Sequence, residues 1–410
     1  MTVEIDGANN IIKTNTINEV TSANGITIDG LNIKDSKLVT ANSVVEANIT
    51  NGAVTSGKIA SGVVPTLRPN AKPLVINSNM AIAQRNSGTV AQSDGSNEGY
   101  ATVDRMNLVF GNSAGGTITT SRDNTAPTGF GQSMKFDVTS ADGSVASNQI
   151  VYMKTTLEAQ DIRNSGWNYT SSSSYLTLSF WVRSSKTGIY CAFLETLDAS
   201  YMRSSEYTIS SADTWEQKVL TFPGKTELVF NNDNGAGLNI GFTFAVGTDR
   251  DGTNNTWETT NYGTSNQVNF LDSTSNILYL TGIQLEVGEF SSTNLPPFQH
   301  ESYGDNLLRC QRYYQLVQNW SGGVVNSSTA YINATFWKTM RTTPSVTTTG
   351  ALNGNDIANN VNQSSGQVTL HGANENGFWG GVGNWSSLTT NNPFNSRFQN
   401  TNKLAFVSEL

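Results

Sequence analysis

The chain has 410 residues, 37% hydrophobic and 14% charged, with a formal net charge of −8 at pH 7. Lys and Arg are scattered and never form a run of five, which argues against bulk nucleic acid as a partner because phosphate binding needs basic patches. Aromatic residues (8 Trp, 13 Tyr and 17 Phe) stand among 37 glycines and many small polar residues; this excludes a charge-rich disordered chain and points to an all-β protein with many turns.

The length sets an expectation of roughly two to four domains, each able to bury a core. No apolar run reaches the ~18 residues of a membrane span, so no membrane insertion is expected. The opening Met1-Thr-Val-Glu-Ile-Asp6 lacks a basic and then apolar leader, so export by a signal peptide is not expected. Cys191 and Cys310 are the two cysteines. With no CxxC pair they read as two buried thiols, and nothing in the sequence supports a bridge between them.

Residues 1–65 read as a repetitive stem. Val39, Val44, Ile49, Val54, Ile59 and Val64 recur every fifth position between small polar residues. A period of five suits neither a helix nor a strand, but it suits short extended pieces broken at Asn-Gly or Ser-Gly turns. Such a segment has almost no core of its own, so it must stack on neighbouring turns or on other chains. Three chains about one axis would enclose those Val and Ile side chains. Pro65, Pro69 and Pro73 then mark a boundary.

Residues 66–303 read as a jelly-roll β-sandwich. Strands are expected over 133–138, 150–156, 175–183, 188–195, 215–222, 238–246 and 277–287, with a short helix over 157–164. Within 175–182, Leu176, Leu178, Phe180 and Val182 fall on one face, which reads as the core face, and Tyr175, Thr177, Ser179 and Trp181 on the other.

Residues 304–410 read as a small β-rich domain with one short helix. Asp305 is expected to cap a helix through Gln315, with Leu308 and Tyr314 packing inward. Short β runs follow over 329–338 and 345–349, then loops rich in Asn, Gly and Trp.

Two stretches then resemble a family. Ile76-Asn-Ser-Asn-Met80-Ala-Ile82-Ala-Gln84-Arg85, followed by Tyr100-Ala-Thr-Val-Asp104-Arg105, resembles the opening of receptor-binding domains in tailed-phage tail fibres, with Met106 in place of the usual tryptophan. Gln284-Leu285-Glu286-Val-Gly288, then Pro297-Phe-Gln299-His, then Cys310-Gln311-Arg312-Tyr313-Tyr314 is similar to the ending of those domains, with Gln299 in place of their usual acid. Met340-Arg-Thr-Thr-Pro344-Ser-Val resembles a strand of the small domain that often follows. The resemblance implies a carbohydrate-binding-module-like jelly roll and a homotrimer in the virion tail fibre, assembled in the host cytoplasm. It further implies an N-terminal part held by a tail or baseplate protein, and a distal part that binds a bacterial surface glycan or outer-membrane receptor.

No catalytic constellation appears, so no enzymatic activity is expected. His300 and His371 read as structural or exposed, and no nucleophile elbow, zinc helix or phosphate loop occurs. A glycan depolymerase would need paired carboxylates; Glu195 with Asp198 and Asp249 with Asp251 are the visible pairs, and both also read as loop solvation. A virion connector or decoration protein without receptor contact is the other alternative. No cofactor is required, but Asp249-Arg-Asp251-Gly252 resembles the start of a calcium loop, which makes Asp249 and Asp251 candidate ligands for a structural Ca²⁺. For glycan binding, Phe378, Trp379 and Trp385 lie among glycines and asparagines, and Trp257 and Tyr262 lie in a polar loop of the large domain. Flat rings stack on sugar faces and Asn amides bond hydroxyls; packing inside a core is the competing use of the same rings.

Overall fold

The computed structural model describes residues 72–348, 352–358, 361–396 and 403–410, together with five short strands between residues 4 and 38. Contacts divide the chain into Met1–Val64 and Pro65–Leu410. In the first unit β1 (Glu4–Asp6) pairs with β2 (Ile11–Lys13), and β3 (Ile26–Ile28), β4 (Leu31–Lys34) and β5 (Lys37–Leu38) form a second antiparallel sheet. The stem residues Val39, Val44, Ile49, Val54, Ile59 and Val64 lie outside the described residues.

The second unit begins with a β-sandwich. Its strands are β6 (Val90–Gln92), β7 (Asn107–Gly111), β8 (Thr117–Asp123), β9 (Ser133–Ser140), β10 (Ile150–Glu158), β11 (Tyr175–Ser184), β12 (Gly188–Thr196), β13 (Tyr201–Ile209), β14 (Glu216–Pro223), β15 (Ala236–Val246) and β16 (Ile277–Val287). They form a five-stranded sheet in the order β13-β12-β15-β10-β7 and a six-stranded sheet in the order β14-β11-β16-β9-β8-β6. The short helix α1 (Ala159–Arg163) follows β10. Strands β11 and β15 form because their apolar residues alternate. Leu176, Leu178, Phe180 and Val182 are fully buried, and the Phe180 ring packs edge-on against Tyr207 and Phe242 at 5.0 and 4.8 Å. Strands β7, β8 and β13 show little alternation in sequence. Thr117–Asp123 contributes one aliphatic residue, Ile118, to the core, and its hydroxyl-rich remainder is held by pairing with β9.

The opposite face of β11 is covered as well. The segment after β16 folds back over the six-stranded sheet, and Gln284 Nε2 donates to Pro296 O at 3.1 Å. Thr177 Oγ1 donates to Gly288 O at 2.7 Å and accepts from Phe290 N at 3.0 Å. Phe298 packs on Phe130 and His300 at 4.8 Å from each. Gly282, at φ +63°, lies under the Phe130 ring, where a Cβ would fall 2.8 Å away.

The strap leads into α2 (Tyr303–Cys310). This helix is shorter than expected and starts differently. Ser302 is the cap, with its Oγ accepting from Asp305 N at 3.1 Å, while Asp305 sits in the first turn. Leu308 is exposed rather than packed inward, and Tyr314 has left the helix for a strand. That strand, β17 (Tyr314–Val317), joins β25 (Leu404–Val407) and β20 (Ser345–Thr348) in a small sheet. Between them β18 (Ser321–Asn326), β19 (Thr329–Thr335), β23 (Gly377–Gly383), β22 (Val361–Asn374), β21 (Leu352–Asp356) and β24 (Pro393–Ser396) close into a barrel in that order. The Asn- and Gly-rich stretch expected as loops is therefore largely strand. Glycines that would mark turns instead let strands and rings approach closely: a Cβ on Gly322 would meet Tyr331 O at 1.7 Å. Among the described residues, no helix is long and apolar enough to cross a membrane.

The family-like motifs meet where the sandwich joins the small domain. Arg105 is 1% exposed, and its guanidinium lies 3.6 Å over the Tyr313 ring. It donates to the Glu409 carboxylate and, at 2.5 Å, to Thr156 O. Arg85 lies 3.8 Å over Tyr314 and pairs with Glu409 at 2.9 Å. Gln84 donates to Asp104 at 2.6 Å and to Tyr314 O at 3.0 Å. Arg312 donates to Glu158 at 2.6 and 2.9 Å, and Tyr313 Oη donates to the same carboxylate at 2.6 Å. Arg341 donates to Ser408 O at 2.8 Å, Glu409 O at 3.0 Å and Asn234 O at 3.0 Å. The pattern that resembles fibre domains thus encodes a joint. Its charged groups face one another in the interior, where breaking one pair is costly.

Two outcomes test the joint. Arg105→Ala leaves Glu409 buried without its nearest partner and lowers the unfolding free energy by about 3–5 kcal/mol in chemical denaturation. Burial alone would raise the Glu158 pKa, but the hydrogen bonds from Arg312 and Tyr313 hold it below the usual range. Its stabilisation is full above the ordinary carboxylate range and is lost as pH falls through the depressed value. Thermal melts of wild type and Glu158→Gln should therefore differ at neutral pH and converge in acid. Asp104, which burial shifts upward, is common to both proteins and drops out of the difference.

Candidate functional site

On the barrel wall β23 runs between β19 and β22, pairing Trp379 with Asn333 on one side and Gly372 on the other. The register of β22 slips between Leu370 and Gly372, so His371 is the extra residue of a bulge. The bulge brings its imidazole against the Trp379 indole, with ring centres 5.0 Å apart and planes 28° from parallel. Tyr331 completes the group, edge-on to His371 at 5.2 Å and to Trp379 at 6.0 Å. The rings lie down because glycines floor them. A Cβ on Gly372 would fall 2.6 Å from Trp379 Nε1, and one on Gly381 would fall 2.8 Å from His371 Nε2. Trp379 remains 50% exposed and Tyr331 44%. Beside the indole is a shallow groove of about 530 Å³ bordered by Asn333, Thr335, Asn374 and Asn376. A flat, half-exposed indole beside amides and hydroxyls can stack on one face of a ligand and hydrogen-bond its rim.

The other expected rings lie elsewhere. Trp385 and Phe378 are core residues rather than surface platforms. Trp385 packs between Phe394 at 4.5 Å and Trp320 at 6.5 Å, and Phe378 against Phe406 at 4.5 Å. A barrel this small needs large rings to fill it, so alternate residues of Gly377–Gly383 turn inward. Trp257 donates its Nε1 to Pro223 O at 2.9 Å and is half-buried against the sandwich. Tyr262 stands 5.3 Å from Tyr152 and 5.2 Å from Phe193 on the outer face of the five-stranded sheet. The structure does not bring Trp257 or Tyr262 to Trp379. His371 and Tyr331 join the group unannounced by local sequence: the Tyr331-Ile-Asn333-Ala-Thr335 alternation marks an outward face, whereas the bulge has no signal of its own.

The carboxylates are engaged separately. Glu195 accepts from Asn239 Nδ2 at 2.7 Å, and Asp198 accepts from Asn231 N at 2.9 Å. Asp249 accepts from Ser147 Oγ at 2.7 Å, while Asp251 forms a backbone bridge with Gly263. Among the described residues no group of three or more His, Cys, Asp or Glu could hold a metal ion. Cys191 and Cys310 are free and buried, and burial pushes the Cys191 thiol up to about 11.

No family model matches the sequence, and no curated protein matches it. Solved structures that match include the enzymatically active domain of tailspike protein 4 of bacteriophage CBA120, at 14% identity and a TM-score of 0.25 over 50% of this chain and 21% of that one. They also include the family 11 carbohydrate-binding module of cellulosomal cellulase Lic26A-Cel5E of Clostridium thermocellum, at 13% identity and 0.26 over 47% and 94%. A third is TmCBM61 in complex with β-1,4-galactotriose, at 10% identity and 0.25 over 53% and 99%. At such identities and scores, function is left to the chemistry of the site itself.

Exposure separates the two ring classes experimentally. Trp385→Ala should cost about 3–5 kcal/mol of stability, and Trp379→Ala or His371→Ala less than about 1 kcal/mol, in matched denaturant titrations.

Proposed function

We propose that this protein is a non-enzymatic tail-fibre protein of a tailed phage that attaches to a bacterial surface glycan through the barrel site around Trp379. The observation that carries the reading is the half-exposed Trp379 indole, laid flat over Gly372 and flanked by His371 and Tyr331. Leaving such rings in water is unfavourable, and a sugar face is a partner that covers them while its hydroxyls reach the neighbouring amides. The fibre assignment rests on the motif resemblance and on the joint that those motif residues build. In this reading three chains associate, the N-terminal part is held by a tail or baseplate protein, and three weak sites act together so that modest affinity becomes firm attachment.

The test is a glycan array probed with the full chain and with Trp379→Ala, alongside light scattering. The expected results are binding by the wild type, about tenfold loss per site in the variant, and the mass of three 44.1 kDa chains for both. Undiminished binding by Trp379→Ala would end the site assignment, and a lone monomer would end the trimer.

A further inference from the structure

Trp379 does not stand alone in its row of the barrel. Cross-strand partners run from Gly372 to Trp379, from Trp379 to Asn333, from Asn333 to Ser321, from Ser321 to Asn395 and from Asn395 to Asn355. Partners directly opposite in an antiparallel ladder share a face, so these side chains form one band around the wall. Neighbouring strands lie about 4.8 Å apart, so four intervals from Trp379 to Asn355 cover roughly 19 Å of surface. A second groove, of about 480 Å³, lies on the other side of β19 from the Trp379 groove, and the two share Asn333, Ala334 and Thr335. The second is bordered by Asn319, Trp320, Ser321, Asn395 and Ser396.

Two features of this band point to a ligand. None of the described residues lining either groove carries a charge; their polar groups are amides, hydroxyls and two indole N–H groups, beside glycines, alanines and rings. At the far end, two buried polar atoms have no partner among the described residues: Trp320 Nε1, on a residue 4% exposed that lines the second groove, and Asn355 Oδ1, in the band itself. Buried polar atoms left without a partner are uncommon and costly, and here one donor and one acceptor are both unmet.

We infer that the band from Trp379 to Asn355 is one extended binding site for an uncharged linear oligosaccharide, which crosses β19 from the Trp379 groove into the groove beside Trp320. One sugar ring stacks on Trp379. The following rings lie over Asn333, Ser321 and Asn395, whose amide and hydroxyl groups both donate and accept and so match sugar hydroxyls of either sense. A charged glycan finds no counter-ion among the described residues that line the grooves and would lose hydration there without recompense. The inference rests on the reading of Trp379 as a glycan-stacking ring and adds the chain length and charge of the ligand.

Isothermal titration calorimetry of the full chain tests it with cellotetraose, maltotetraose and mannotetraose, their disaccharides, and tetragalacturonate as the charged counterpart. At least one neutral tetrasaccharide should bind tenfold or more tighter than its disaccharide, and tetragalacturonate should bind more weakly than that tetrasaccharide. In the double variant Ser321→Ala/Asn395→Ala, the ratio of tetrasaccharide to disaccharide affinity should fall toward one. Equal affinity for both lengths, a ratio unchanged in the double variant, preference for tetragalacturonate, or no binding by any neutral tetrasaccharide each overturns the extended site. Trp379→Ala separates the two readings. If it abolishes binding while chain length has no effect, the stacking ring stands and the band falls; if it changes nothing while the double variant weakens the tetrasaccharide, the stacking role falls.

Discussion

The second unit is organised around a buried ionic joint. Arg105, almost wholly removed from water, is held by the Glu409 carboxylate, Thr156 O and the face of Tyr313. A guanidinium cannot shed its charge, so it tolerates burial only where an anion and aromatic faces replace its hydration. That requirement ties together β10, the turn after α2 and the residues that follow β25, so the sandwich and the small domain hold each other in place. Glu158 does the same from the opposite sign, collecting Arg312 and Tyr313.

The joint also determines what the motif residues are for. The residues that carry the motif resemblance make internal contacts. Gln84 and Asp104 hold the first turns of the sandwich, Gln284 holds the strap, and Arg341 holds the strand end near Ser408. In the proposed function recognition falls to the barrel wall, whose outward Trp379 and Tyr331 are half exposed. Such a division lets surface residues vary while the scaffold persists, because interior ion pairs constrain their neighbours far more than exposed amides do.

The barrel shows why glycine-rich sequence is ambiguous. Between Gly377 and Gly383, glycine could mark turns, and the stretch read as loops. In the folded protein Gly381 of this stretch is a spacer, as are Gly372 and Gly354 elsewhere in the barrel: Gly381 and Gly372 make room for His371 and Trp379, and Gly354 for Phe394 and Trp320. A missing Cβ can serve a turn or a close approach, and the local sequence does not say which. The inward or outward choice of Trp379 against Trp385 has the same origin, since both sit in similar Gly/Asn surroundings and differ in which side of a closed wall they occupy.

From the sequence alone, the all-β class, the core face of Leu176-Thr-Leu-Ser-Phe-Trp-Val182 and seven strands of the sandwich were legible. Each depends on local pattern, chiefly β-forming composition and side-chain alternation of period two. Tertiary structure alone decided that Thr117–Asp123 is a strand, that Ser302 rather than Asp305 caps α2, that Phe378 and Trp385 are core rings, and that His371 meets Trp379. Those outcomes depend on partners far along the chain, on a bulge in one register and on the closure of a barrel, and none of these leaves a trace in neighbouring residues.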